Sequence, residues 1–271
     1  MRYTILLLTI FSLGATSICH AAISSGSIAF IGANSDEAEH FAFVVTSTIG
    51  SGEVIHFTDS SYGEPVNLTR FRWTEHLGDT PTPGPLSWTT NVTIPVGTVV
   101  MYDDIDNHFE LINGTITGTV SGAEMTLGIG GENLFAYQGM ITLNDIAGNY
   151  DGDATGVTVY GGGFLWGQAS GNWQTTGVGN TANSYLPSSL TDGTSAIALE
   201  TALDNVRYNG PRSFNSSAEI LAALNTDANW TGGDTVVASP ADFGGNFILV
   251  PEPSSVLVGA LGILSLLRRR R

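Results

Sequence analysis

The side chains with the clearest capacity for chemistry are carboxylates set at short intervals. Asp103-Asp104-Ile105-Asp106-Asn107 is followed closely by Glu110. Asp103, Asp104, Asp106 and Glu110 are therefore the candidate ligands for calcium, a hard cation that takes roughly six to eight oxygens. A second run, Asn149-Tyr150-Asp151-Gly152-Asp153, has alternate-position oxygens like the start of an EF-hand loop. Ala154 stands where that loop needs glycine and Tyr160 where it needs the bidentate glutamate, so it is no EF-hand. For both runs the alternative is a solvated acidic loop.

Tryptophan supplies the other candidate chemistry. An aromatic face beside Asp, Asn or Gln makes a platform for a sugar ring, and Trp166 and Trp173, between the glycine run Gly161-Gly162-Gly163 and Gln174, are the candidate glycan contacts. Core or edge packing is the competing role for the same residues. No catalytic residue is predicted. His40, His56, His76 and His108 fall in no His-Glu-x-x-His or other zinc spacing, and there is no Gly-x-Ser-x-Gly elbow. A glycosidase-type carboxylate pair stays open, because sequence does not tell which acids face one another. Of the five Asn-x-Ser/Thr sequons, at Asn67, Asn91, Asn113, Asn215 and Asn229, only Asn229 has an acid two residues ahead, Asp227.

Strands must position these groups. Period-two apolar runs rich in β-branched and aromatic residues lie at 27–31, 40–45 and 53–58, with further candidates at 86–89, 98–102, 115–120, 125–129, 134–137, 157–160, 195–199 and 247–250. Spacing of about ten residues with Gly, Asn, Asp and Ser between them predicts an all-β protein, a β-sandwich with turn-rich extensions. One short helix is expected after Ser216-Ser217-Ala218-Glu219, a capping box followed by Ile220, Leu221 and Leu224. It would pack as a lid and carry no chemistry. Residues 22–250 are read as one continuous body, with a smaller second β-lobe from about residue 121 as the alternative.

Composition limits the partners. The 271 residues include 34 glycines and 10 prolines, and only 13% are charged, about half the average of roughly 25%. There is no lysine, and within residues 22–250 there are 24 acidic residues against 4 arginines. Such a surface repels phosphate backbones, so nucleic acid is not a partner.

The two ends carry targeting information. Met1-Arg2, an apolar run from Ile5 to Leu13 and small residues up to Ala22 read as a signal peptide over residues 1–21, cut after Ala21 by signal peptidase. Its removal takes away Cys19, the only cysteine. At the other end, residues 251–271 run Pro251-Glu252-Pro253, an apolar stretch from Val256 to Leu267 and Arg268-Arg269-Arg270-Arg271. The arginines hold that end in the cytoplasm, so the body lies outside. Twelve apolar residues at 1.5 Å rise extend only about 18 Å, a marginal membrane span. By its own residues the segment reads as a sorting helix or as a plain tail anchor.

Pro-Glu-Pro, a short hydrophobic helix and a terminal arginine run, paired with a signal peptide, resemble the PEP-CTERM sorting signal of Gram-negative, exopolysaccharide-producing bacteria. The resemblance implies Pro251, Glu252, Pro253 and Arg268 to Arg271 as the sorting signal, recognition by a membrane-embedded exosortase, anchoring by the C-terminal helix before processing, and delivery to the cell surface or extracellular matrix. The first hundred residues also resemble, in layout, a lamin-tail-like immunoglobulin β-sandwich, through Phe41-Ala42-Phe43-Val44-Val45, Ile55-His56-Phe57-Thr58-Asp59 and Ile94-Pro95-Val96-Gly97-Thr98-Val99-Val100. The expectation is a non-enzymatic surface or matrix protein with an adhesive or exopolysaccharide-associated role. The alternative is a secreted carbohydrate-binding module or carbohydrate-active hydrolase.

Overall fold

A computed structural model of the chain describes residues 22–36, 39–63, 70–73, 85–122, 125, 127, 132–139, 142–146, 149–153, 157–167, 172–176, 184–199, 205–233 and 240–250. The described strands run in the order β1 (Ile28–Asn34), β2 (His40–Val45), β3 (Val54–Thr58), β4 (Ser61–Tyr62), β5 (Arg70–Trp73), β6 (Leu86–Thr90), β7 (Val99–Asp103), β8 (His108–Leu111) and β9 (Gly118–Ser121). They continue as β10 (Asn133–Gly139), β11 (Thr142–Ile146), β12 (Asn149–Asp153), β13 (Val157–Leu165), β14 (Ala196–Ala198), β15 (Asn205–Tyr208) and β16 (Ser213–Phe214). Among the described residues a single α-helix, α1 (Ser217–Leu224), precedes β17 (Trp230–Gly233) and β18 (Ile248–Leu249).

The protein is all-β, built on two six-stranded sheets ordered β17-β15-β1-β2-β7-β8 and β14-β13-β10-β3-β6-β9. Each sheet draws strands from both sides of residue 121, so a boundary there would cut through both. A four-stranded sheet β11-β12-β5-β4 and a parallel pair β16-β18 complete the described strands. Between the two large sheets lies an aromatic core. Phe30, Phe41, Phe43 and Phe109 from the first meet Phe57, Trp88 and Phe164 from the second, with Phe43 5.5 Å from Phe57 and Phe109 stacked on Trp88 at 4.9 Å between ring centroids. Offset stacks and edge contacts of this kind add to the burial of large rings.

Both sheets are also covered on their outer faces. β1 and β2 are buried along their whole length, because α1 and the turn at Pro240–Phe243 lie over the first sheet, with the Phe243 ring against Gly32. Strands buried on both faces read as continuous apolar runs and lose the simple in–out alternation. The second sheet carries an outer layer of Tyr62, Phe135, Tyr137, Tyr160, Leu165, Trp173, Tyr185 and Leu190. Met125 and Leu127, in a segment expected to be a strand, are buried in the core yet belong to no strand.

Two glycines permit close approaches. Gly97, at φ 84, closes the turn after Pro95, and its N–H donates to the carbonyl of Val45 at 2.7 Å. Gly162 lies so near β1 that a Cβ there would sit 2.0 Å from the Ile28 carbonyl oxygen. Helix α1 forms as its capping box predicts, with the Ser216 Oγ accepting the Glu219 N–H at 3.3 Å. The Glu219 carboxylate reaches back one residue further than a capping box requires, to the Asn215 N–H at 2.9 Å. Asn225 and Asn229 amides and the Trp230 indole donate to carbonyls of the last turn, which has no basic residue.

Candidate functional site

The β7–β8 hairpin builds the most concentrated set of ligating side chains among the described residues. Tyr102 belongs to the aromatic core with Phe41 and Phe109, so the period of two turns Asp103 to the opposite face of its strand. Register then completes a row: His40 on β2 stands opposite Asp103 on β7, and Asp103 opposite His108 on β8. The turn between the strands adds Asp106, and its tightness is met by Asn107 at φ 48, a left-handed conformation that asparagine tolerates.

Asp103, Asp106 and His108 each bring one ligand atom within 4.8 Å of the others. Asp103 Oδ1 also accepts the Ile105 N–H at 3.0 Å and lies 3.5 Å from Nδ1 of the buried His40. Two carboxylates and an imidazole so arranged can hold a divalent cation. The four-carboxylate calcium set expected from sequence is not what assembles. Asp104 turns to the Tyr102 hydroxyl, which donates to its Oδ1 at 3.3 Å, and Glu110 pairs with His108 Nε2 at 3.4 Å from within its strand. His108 takes the third place, because alternate residues of β8 share a face and His108 stands at the register of Asp103. The signal was present in sequence as a histidine two residues past Asp106.

A second group of acids lies on the adjoining β1–β2 and β3 ends. Glu39, just before β2, accepts the Leu127 N–H at 2.9 Å and has Asp104 and Asp59 as charged neighbours. Burial raises its carboxyl to about pH 7, and the two like charges add to the rise while the Leu127 hydrogen bond opposes it. Sequence singled out neither Glu39 nor Asp59, since no short spacing links them.

The other candidates resolve differently. Trp166 is 1% exposed and stacked on Phe164, and Trp173 is 8% exposed with its indole N–H donating to Asp192 at 2.9 Å. Neither offers a free face to a sugar, which corrects the platform reading. The glycines ahead of Trp166 lie inside β13, not in a loop, because β1 presses against Gly162. Asp151 and Asp153 belong to β12, opposite Arg72 and Arg70 on β5. Asn229 has its amide engaged with the Ala223 carbonyl at 2.9 Å. His56 Nδ1 and the Ser87 hydroxyl are 2.7 Å apart as direct cross-strand neighbours, and burial holds the imidazole below its ordinary value. A hydroxyl–imidazole contact alone lacks the orienting group and the oxyanion donors that a nucleophile needs.

The residues expected to form the sorting signal, Pro251, Glu252, Pro253 and Arg268 to Arg271, lie outside the described residues, as does the signal peptide. Among the described residues no helix is long and apolar enough to cross a membrane. The chain matches no family model, no curated protein and no solved structure.

Proposed function

We propose that the protein is an exported, exosortase-sorted cell-surface or extracellular-matrix protein with a non-enzymatic adhesive or exopolysaccharide-associated role. The observation that carries this reading is the three-part C-terminal segment, Pro251-Glu252-Pro253, an apolar run and four arginines, in a chain that opens on a signal-peptide pattern. The described body begins and ends on packed or hydrogen-bonded residues. Ala22 is exposed while Ile23 packs in the core, and the Val250 N–H is bonded to the Phe214 carbonyl at 2.8 Å. The immunoglobulin or lamin-tail-like arrangement is part of the same proposal, supported by β2, β3 and the Pro95–Gly97 turn.

The test is intact-mass measurement of protein from the cell surface and from the membrane fraction. Surface protein beginning at Ala22 and lacking Arg268–Arg271 is the expected result. Surface protein that retains the arginines overturns sorting by processing.

A second reading, a carbohydrate-active hydrolase, is favoured by one observation. Glu39, protonated to about pH 7 beside Asp59 and Asp104, is the kind of acid that protonates a glycosidic oxygen. Release of reducing ends from acidic or neutral polysaccharides, abolished in Glu39→Gln, would establish it. No release by the wild-type chain would remove it.

A further inference from the structure

We infer that, while the chain is anchored, the body rests on the outer face of the bilayer with one end of its paired sheets in the headgroup layer, the end that carries Val54, Val92, Ile116, Ile248 and Val250. The inference rests on the anchoring proposed for residues 251–271. Its first ground is a polarity along the strands. Register puts the start of β1, the end of β2 and the start of β7 together, since Ile28 faces Val45 and Val44 faces Val99. The start of β3 and the end of β6 lie at the same end, with Val54 facing Thr89, and the connections 46–53 and 91–98 are bridged at Ile49 and Ile94. Of the six large apolar side chains exposed among the described residues, five belong to this end and only Ile105, on the β7–β8 turn, to the other. Ile116 is placed there by its bridge to Glu110 and by the Asn91 N–H, which donates to the Thr117 carbonyl. Ile248 and Val250 share one face of β18 while Leu249 packs on the core, and the Phe247 N–H ties this strand to Gly97.

Charge divides the same way. Residues 46–53, 91–98, 112–117 and 246–250 contain a single charged residue, Glu53, whose carboxylate accepts the Gln138 amide at 2.8 Å. Glu219, in the first turn of the helix whose Ser217 bonds to Thr46, is occupied with the Asn215 N–H. Asp36, Glu39, Asp59, Asp103, Asp104 and Asp106 stand at the opposite ends of their strands. An anionic leaflet repels that acidic end outward. The second ground is that both ends of the body leave from the apolar end. The Ile23 N–H donates to the Gln138 side chain, which in turn donates to the Val54 carbonyl, and Val250 is bonded to Phe214 just ahead of α1. The third ground is reach. With Arg268–Arg271 at the cytoplasmic boundary, the helix of about 18 Å from Val256 leaves about 12 Å of a hydrocarbon core of roughly 30 Å uncrossed. The six steps back to Val250 cover at most about 22 Å whatever their conformation. Val250 is thus held within about 10 Å of the hydrocarbon, in or at the edge of a headgroup layer about 5–7 Å deep. Exposed aliphatic side chains and a nearly uncharged surface are what that layer accepts.

The experiment places an environment-sensitive fluorophore at Val92→Cys, Ile248→Cys or Ile105→Cys, each in a Cys19→Ser full-length chain reconstituted into phosphatidylcholine vesicles that contain a spin-labelled lipid. The labels at 92 and 248 should shift to the blue and be quenched by the lipid. The label at 105, which replaces an equally apolar and more exposed side chain at the acidic end, should do neither. All three side chains are exposed, so each variant should melt as the wild type does; Ile116→Cys and Val250→Cys stand in for any that does not. The anchor is read separately, as association that resists carbonate extraction and is lost in Ile263→Arg. An anchored chain with no quenching at 92 and 248, or with equal quenching at 105, overturns the inference and leaves the anchor standing. Association that carbonate removes, or that Ile263→Arg leaves unchanged, overturns the anchor and the inference with it.

Discussion

Asp151 on β12 stands directly opposite Arg72 on β5, and Asp153 opposite Arg70 one pleat along. The body has only four arginines, so two of them lie across from the acids that a calcium loop would have used. Opposite charges on directly facing positions of an antiparallel pair stabilise by about 0.2–1 kcal/mol, and like charges destabilise similarly. Arg72→Glu is therefore expected to lower unfolding free energy by about 1 kcal/mol, and adding Asp151→Arg should restore most of it. A double-mutant cycle by urea unfolding measures the coupling; strictly additive effects would show that the register pair contributes nothing.

Glu39 gives the protein a pH dependence of opposite sign to that of most surface carboxylates. Its folded value of about 7 lies above the ordinary value of 4.5, so between these limits the folded state binds more protons than the unfolded one. The stability it contributes is present below pH 4.5 and is lost as pH rises to 7. Because the group is only half-buried, solvent screening reduces the effect to about 1–2 kcal/mol. Glu39→Gln keeps an acceptor for the Leu127 N–H and removes the titration. Its melting temperature should match wild type at pH 4.5 and exceed it at pH 8. Equal values at both pH settings would refute the raised carboxyl.

The Phe109–Trp88 stack is the closest ring contact between the two sheets at 4.9 Å, and the Trp88 indole also donates to the Thr117 carbonyl at 3.3 Å. Phe109→Ala opens a cavity at a site with no exposure and should cost about 3–5 kcal/mol, read as a lowered urea midpoint with an unchanged slope. A loss below about 1 kcal/mol would mean that the hairpin collapses onto the gap, contrary to a packed inter-sheet core.

Legibility followed the reach of the signal. β1, β2, β3, β6, β7 and β10 were readable because each is a dense apolar run bounded by turn residues. β5, β11 and β12 were not, since Arg70-Phe71-Arg72-Trp73 and Asn149 to Asp153 are held by cross-strand partners remote in sequence. β13 was cut short, because its glycines signal a loop locally and are required only by the nearness of Ile28. At the site, Asp103 and Asp106 were found from spacing alone. His40 was missed as a member because only register brings it 63 residues forward to Asp103, and a histidine in a strand carries no mark of what lies opposite.

Arg212 ties the last segment of the body to the rest, and its substitution tests how the end of the fold is held. Its guanidinium donates to the carbonyls of Phe243 and Gly245, and its plane lies over the Phe247 ring at 4.7 Å. Phe247 in turn stacks on Phe214 at 5.9 Å and Tyr208 at 5.6 Å, while its N–H donates to Gly97 and the Asn246 side chain accepts the Val99 N–H. A planar fork satisfies two carbonyls and a ring face together, which an ammonium does not. Arg212→Lys is therefore expected to cost about 1–3 kcal/mol and to expose residues 240–250 to limited proteolysis before the sheets unfold. Phe247→Ala should release the same segment, since it removes the ring on which the arginine rests. If both variants resist protease as the wild type does, the segment is held by the β16–β18 pairing and by the bonds of Asn246 and Phe247 to Val99 and Gly97, and the arginine clamp is incidental.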